Sequence, residues 1–131
     1  MPTRDLTLDN KVSSADFGRM GCDPPLTLLE AFLGKLKSSE GDLDFILVPG
    51  DLVVHGVPLN HDDPKEGNYS LLKQTINTVS QTFTKYFPNT KVLPSMGNND
   101  PKYHYLGISQ ADRAEYYGFL YNAWFSLISG N

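Results

Sequence analysis

The sequence predicts an α/β fold, in which the strands of a parallel β-sheet alternate with helices along the chain. Three amphipathic helical patterns alternate with two short apolar runs, and strands separated by helices of this length are joined as parallel neighbours. The 131 residues suit one domain, and 40% of them are hydrophobic, which is enough for a core. We assign residues 1–15 to an N-terminal arm without sustained periodicity and residues 16–131 to the domain.

The helices are predicted from apolar residues that recur at three- and four-residue steps, as they do on one face of a helix. The predicted ranges are about 24–38, 68–87 and 110–128. Pro24 and Pro25 suit the first turn of the first helix, because proline there loses no helical hydrogen bond. Asp23 just ahead is a candidate N-cap.

The strands are predicted at about 44–48 and 91–95, and a polar turn follows each. Phe45 to Val48 form an unbroken apolar run, which is typical of a strand buried on both faces. Gly50-Asp51 follows the first strand, and Gly97-Asn98-Asn99-Asp100 follows the second. Ligands of open α/β sheets bind outside the carboxyl ends of the strands. We therefore expect both turns to lie at one crevice.

The residues of these turns are of types that could support metal-assisted phosphate chemistry. Asp51 and Asn98 supply hard oxygen donors that suit a divalent cation able to bind phosphate oxygens. His55, four residues after Asp51, can reach the same crevice as an acid or a phosphate contact. Each feature alone has an ordinary explanation, because such residues are common in turns. Their occurrence after two successive strands favours a functional site.

Composition excludes several classes of function. Lys and Arg number 11 against 15 Asp and Glu, so the net charge of −4 argues against nucleic acid or an anionic membrane as a partner. No apolar run approaches the roughly 18 residues that span a bilayer, and the polar stretch from Met1 to Lys11 indicates no signal peptide in this chain. Cys22 is the single cysteine, which predicts either a buried thiol or a disulfide partner outside the chain.

Three segments carry a resemblance to a known family. Residues 44–51 (DFILVPGD) and 92–100 (VLPSMGNND) together resemble the calcineurin-like metallophosphoesterase superfamily. Residues 17–25 (FGRMGCDPP) and the place of His55 are similar to its acid sphingomyelinase-like phosphodiesterase branch. The resemblance covers about residues 16–128, which is most of the chain.

The resemblance implies part of an αββα sandwich with a two-metal site, usually of zinc in this branch. Asp51 matches the carboxylate that bridges both metals, and Asn98 matches a ligand of the second metal. Asn99 stands where the family has a catalytic histidine, and an amide is a poor proton donor. His55 is then the candidate acid, with His104 as the rival donor.

The resemblance also implies a longer parent protein. The family begins with an Asp-x-His motif, and no residues before Asp16 match it. The family finishes with a lone histidine and a Gly-His-x-His motif, and the sequence up to Asn131 contains neither. The chain is therefore predicted to be an internal fragment or a truncated gene product, inactive alone. The counterpart of Cys22 pairs with an earlier cysteine in this branch. Asn68-Tyr69-Ser70 is a possible glycosylation site, which fits a secreted or lysosomal parent glycoprotein.

Three hypotheses for function follow. The first is a metal-dependent hydrolase whose substrate is a phosphodiester of lipid or nucleotide type. The second is a non-catalytic derivative of the same fold. The third is an unrelated α/β binding module, which predicts that Asp51 and Asn98 lie far apart.

Overall fold

The computed structural model of the chain describes residues 15–54, 66–103 and 106–129, with side chains of the second helix from residue 69 onward. The elements in chain order are α1 (Leu26–Glu40), β1 (Phe45–Val48), α2 (Glu66–Tyr86), β2 (Lys91–Pro94) and α3 (Arg113–Ser129). Each element lies within about three residues of its predicted bounds, so the predicted alternation of helices and strands is confirmed. The predicted arm lies outside the described residues except for its last residue.

The two strands form a parallel pair, as the crossover through α2 requires. Phe45 lies opposite Lys91, and Val48 lies opposite Pro94 at the carboxyl end of the pair. The amide of Ser95 donates a further hydrogen bond of 2.9 Å to the carbonyl of Val48. Both polar turns therefore leave the sheet at the same edge.

The core lies between the helices and one face of this sheet. Val92 on β2 is fully buried, and Ile46 and Val48 on β1 pack against the same cluster. The helices contribute large apolar side chains to it, among them Leu33, Leu72, Ile76, Tyr116, Leu120 and Trp124. Burial of this apolar surface is the main favourable contribution to folding.

The opposite face of the sheet is exposed in the part of the chain that the structure describes. The side chains of Phe45, Leu47 and Leu93 are 54%, 64% and 38% exposed. The prediction that β1 is buried on both faces is therefore wrong for these residues. The apolar run indicated what could be buried, but α2 and α3 pack against the other face, and no described element covers this one.

The ends of the helices also differ from one prediction. The N-cap of α1 is Pro25, which has extended backbone angles and no side-chain cap bond. Asp23 is therefore not the N-cap, because it lies two residues too early. Gly41 closes α1 with a φ of 66°, a conformation that glycine adopts without a steric penalty.

Two further properties of the described residues bear on function. Cys22 is exposed, so the interpretation of its thiol as a buried one is wrong. Of the helices that the structure describes, none combines the length and the apolar character that crossing a membrane requires.

Candidate functional site

The two polar turns touch through their glycines at the carboxyl edge of the sheet. A Cβ on Gly50 would overlap the backbone nitrogen of Gly97, and Gly50 has a φ of 108°. A Cβ on Gly97 would overlap the carboxylate and backbone of Asp51. The turns can approach so closely because both positions lack a side chain.

Asp51 adopts an unusual backbone conformation that turns its side chain toward the second turn. Its φ is 56°, and it is the one described residue other than glycine with a positive φ. Such conformations are uncommon for residues with a side chain and are concentrated at functional sites. Its Oδ1 accepts a hydrogen bond of 3.0 Å from the amide of Asn99.

Asp100 holds the two turns together from the interior. Its side chain is fully buried, and its carboxylate accepts hydrogen bonds from the backbone amides of three consecutive residues, Asp51, Leu52 and Val53, at 2.8, 2.7 and 3.2 Å. A fourth bond of 2.7 Å comes from the amide of Gly97. Several amide donors around a carboxylate satisfy its charge without a cationic partner.

The bonds between the turns are thus reciprocal. The Asp100 carboxylate of the second turn binds the backbone of the first, and the Asp51 carboxylate of the first binds the backbone of the second. This arrangement fixes the position of Asp51 relative to Asn99. The unrelated binding module predicts that Asp51 and Asn98 lie far apart, and the contact between Asp51 and Asn99, the neighbour of Asn98, disfavours it.

A cavity of about 270 Å³ opens beside these turns. Polar lining comes from Asp23, Asp51, Thr75 and Asn99, and the described lining residues include no lysine or arginine. Asn99 is almost fully buried, and its Oδ1 is buried with no hydrogen-bond partner among the described residues. An acceptor left unpaired in this way is unfavourable unless a ligand, a cation or water satisfies it.

A second, more apolar cavity of about 320 Å³ adjoins the first. Asp51 and Leu52 line both cavities, and the apolar lining of the second includes Leu29 on α1 and Val79 and Phe83 on α2. A ligand that places a polar group near Asp51 could thus extend an apolar group between the helices.

The oxygen donors at this edge fit part of a site for a divalent cation. Carboxylate and amide oxygens are hard ligands, and the residues Asp51 and Asn99 line the same cavity. However, no group of three or more His, Cys, Asp or Glu residues placed to hold a metal occurs among the described residues. A complete site would need further ligands.

The predicted site residues fall into two groups in the structure. Asp51, Asn98 and Asn99 all lie at the shared edge, with Asn98 partly exposed. His55 and His104, the two candidate acids, lie outside the described residues. The side chain of Asn68, the possible glycosylation site, is also outside them, and its backbone lies in the first turn of α2.

Sequence reasoning missed the role of Asp100. Its signal was its place as an acidic residue at the end of a polar turn, directly before Pro101. That signal is weak, because aspartate before proline is common in turns whatever its role. Sequence reasoning also gave Asp23 a capping role, whereas the structure places it at the cavity.

An ionic cluster joins α2 to α3 next to the second turn. Lys73 and the Tyr69 hydroxyl both donate to Glu115, and Lys102 donates to Asp112 at 2.7 Å. The Tyr69 hydrogen bond, followed by Lys73, lowers the pKa of Glu115, and the Lys102 hydrogen bond lowers the pKa of Asp112. Both carboxylates are thus held ionised, which favours the ion pairs.

Comparison with known proteins gives relatives of one kind. The chain is 31% identical over 117 residues to sphingomyelinase phosphodiesterase D of Dictyostelium discoideum, a match of 88% of the chain and 23% of that protein. It is 34% identical over 79 residues to the human acid sphingomyelinase-like phosphodiesterase 3b, covering 60% of the chain and 16% of that protein.

A mouse cyclic GMP-AMP phosphodiesterase is 30% identical over 91 residues, covering 70% of the chain and 19% of that protein. The chain thus spans less than a quarter of the length of these relatives. No family model matches the chain. No solved structure is a significant match either.

Proposed function

Because this chain is a relative of the acid sphingomyelinase-like phosphodiesterases over the segment it shares with them, we propose that it forms part of a metal-dependent phosphodiester hydrolase. The observation that carries the proposal is the reciprocal bonding of the two turns, which brings the residues Asp51 and Asn99 to one cavity. The proposal covers the whole parent protein, of which this chain supplies the carboxyl edge of the sheet.

The proposed cofactor is a pair of divalent cations, zinc by resemblance, held in part by Asp51 and Asn98. When bound, such cations supply positive charge to the phosphate oxygens and activate water for attack on phosphorus. Within the described residues, Asp51 is held in place by the Asn99 amide and by the Asp100 bonds to its backbone. These bonds orient the carboxylate before any ligand arrives, which reduces the ordering required on binding.

The proposed general acid is His55, because Asn99 occupies the position of the family's catalytic histidine. An imidazolium can both contact a phosphate oxygen and give up its proton to the leaving group. His104 is the alternative donor. To identify the acid, each histidine is replaced by alanine in the parent protein, and hydrolysis is measured with one diester that has a poor leaving group and with one p-nitrophenyl ester. The acid is the residue whose replacement slows only hydrolysis of the diester with the poor leaving group.

The proposed substrate is a phosphodiester, and the relatives are named for both a lipid and a nucleotide diester. The apolar cavity next to Asp51 favours a substrate that carries an apolar group on one side of the phosphate. By resemblance, the parent is proposed to be secreted or lysosomal and glycosylated at Asn68, with Cys22 in a disulfide.

The metal site is tested by titrating zinc into this chain and into two matched variants. Asp51→Asn keeps the oxygen that accepts from Asn99 but removes the charge, whereas Asp42→Asn makes the same change at an exposed position away from the cavity. We expect weak zinc binding to the unmodified chain, because one carboxylate and amide oxygens do not close a site. Asp51→Asn should abolish that binding, and Asp42→Asn should leave it unchanged.

Two outcomes of this titration contradict the proposal. Equal zinc affinity of the chain and of Asp51→Asn would remove Asp51 from the site. Tight stoichiometric binding, with robust hydrolysis of bis(p-nitrophenyl) phosphate by this chain alone, would contradict the need for ligands from elsewhere in the parent.

A second candidate function is a non-catalytic derivative of the fold, which the replacement of the family's histidine by Asn99 favours. It predicts that the complete parent binds the diester without hydrolysing it. Turnover of a diester by the parent, lost in Asp51→Asn, would exclude this candidate.

A further inference from the structure

The turn that carries Asn98, Asn99 and Asp100 is anchored to α3 at two points. The hydroxyl of Tyr116 donates a hydrogen bond to the main-chain carbonyl of Asp100. Two residues further on, the Lys102 ammonium donates to Asp112, which precedes α3. The start of α3 and the residue before it therefore hold the chain at Asp100 and at Lys102.

The bond from Tyr116 lies in the interior, where it matters most. Tyr116 and Asp100 are both fully buried, so water cannot replace the hydroxyl if it is lost. The ring of Tyr116 packs in the core regardless of its hydroxyl, and its neighbours include the rings of Tyr69 and Phe119. The ring thus contributes to folding, while the hydroxyl constrains the position of Asp100.

The effect of that constraint passes to the candidate site through a single residue. Asp100 accepts from Tyr116 with its main-chain oxygen and from the amides of Asp51, Leu52 and Val53 with its carboxylate. A shift of the Asp100 main chain would therefore displace the acceptor for three consecutive amides. One of these amides belongs to Asp51, whose backbone is in a left-handed conformation that its surroundings must maintain.

We propose that Tyr116 is a positioning residue of the candidate site, which sets the place of the Asp51 carboxylate through Asp100. The proposal rests on the proposed function for its link to cation binding. It assigns α3, which carries no family motif, a direct part in the geometry of the edge.

Tyr116→Phe tests the proposal by removing only the hydroxyl, and Tyr117→Phe is the matched control. Tyr117 is the next residue on α3 and is 46% exposed. Amide hydrogen exchange of the full chain is followed by NMR for all three proteins. In Tyr116→Phe we expect the amides of Asp51, Leu52, Val53 and Gly97 to exchange about three- to ten-fold faster, the effect of losing one hydrogen bond locally.

Amides of the β1–β2 ladder and of the middle of α2 should change by less than about two-fold in the same variant. In Tyr117→Phe, all of these amides should stay within that range. Uniform acceleration of every amide in Tyr116→Phe would show a purely structural role and overturn the proposal. No acceleration, or equal local acceleration in Tyr117→Phe, would overturn it as well.

Zinc titration of the same variants, at a temperature where all are folded, tests the link to the site. Tyr116→Phe should weaken zinc affinity by about three- to ten-fold, and Tyr117→Phe should not. Unchanged zinc affinity despite faster local exchange would overturn the positioning of Asp51. If the unmodified chain binds no zinc, the expectation of a weak site in this chain fails, and the exchange pattern alone then decides whether Tyr116 positions the turn.

Discussion

The carboxyl edge of the sheet and its exposed apolar face lie a few residues apart in the chain. They differ in whether their groups have bonding or packing partners among the described residues. At the edge, Asp51 and Asp100 bind each other's turns through four backbone amides, and Asp100 also accepts from the amide of Gly97 in its own turn. On the face, Phe45 and Leu47 point away from the core and are more than half exposed. The edge is thus organised by groups within the described residues, whereas the face has no described partner.

The difference shows which properties of the fold are local. The bonds between the turns join residues that follow neighbouring parallel strands, and α3 anchors the second turn through Tyr116, so all of these partners lie within the described residues. Burial of a parallel sheet needs a layer on each side, and one side is covered here.

The largest effect should come from removing the buried carboxylate at the edge. Asp100→Ala leaves four backbone amides without their acceptor in the interior, and buried groups stripped of a charged partner destabilise strongly. We expect the free energy of unfolding, measured by urea denaturation, to fall by about 3–5 kcal/mol.

Asp42→Ala provides the control, because this exposed carboxylate lies outside both turns. It should change the free energy of unfolding by less than about 0.5 kcal/mol. If Asp100→Ala were as mild as the control, the amides of the first turn would have another acceptor, and the edge would not depend on the reciprocal bonds.

An intermediate effect is expected where the two turns touch. Gly50→Ala places a methyl group onto the backbone of Gly97 and imposes a φ of 108° on a residue with a side chain. Both effects are unfavourable, and we expect a loss of about 2–4 kcal/mol in the free energy of unfolding. Thermal denaturation followed by circular dichroism measures it.

Gly118→Ala is the opposite case in the same chain. Gly118 lies within α3, and apart from its own stretch of helix no described atom lies within 4 Å of the place where its Cβ would be. Alanine should therefore stabilise the protein by about 0.5–1 kcal/mol through helix propensity. Equal destabilisation by the two substitutions would mean that the contact between the turns is not what requires Gly50.

Much of the fold and part of the site could be predicted from the sequence, for physical reasons visible in particular residues. The recurrence of apolar residues every three or four positions is a local property of the sequence, and it predicted the ends of the helices to within about three residues. Parallel pairing also brought both polar turns to one edge, because a helix of 21 residues separates β1 from β2.

What could not be predicted depends on contacts distant in sequence. Nothing near Asp100 indicates that its carboxylate turns inward to amides 47 to 49 residues earlier. The apolar run of β1 likewise indicates that both faces of this strand could be buried. It does not indicate which elements cover each face. For Cys22, a buried thiol was one of two predictions, based on the general behaviour of thiols, and the structure shows that this residue is exposed.

The smallest effect on stability should come from the exposed face, and it tests whether that face is as free as the described residues suggest. Leu47→Thr keeps a residue that favours strands and removes exposed apolar surface, so the free energy of unfolding should change by less than about 0.5 kcal/mol. Val92→Thr, the comparison on the buried face, places a hydroxyl in the core and should lower the free energy of unfolding by about 1–3 kcal/mol. Sedimentation velocity should show less self-association for Leu47→Thr, because exposed apolar sheet surface promotes it. Should Leu47→Thr destabilise as much as Val92→Thr, a segment outside the described residues must cover this face, and the contrast between edge and face would not hold.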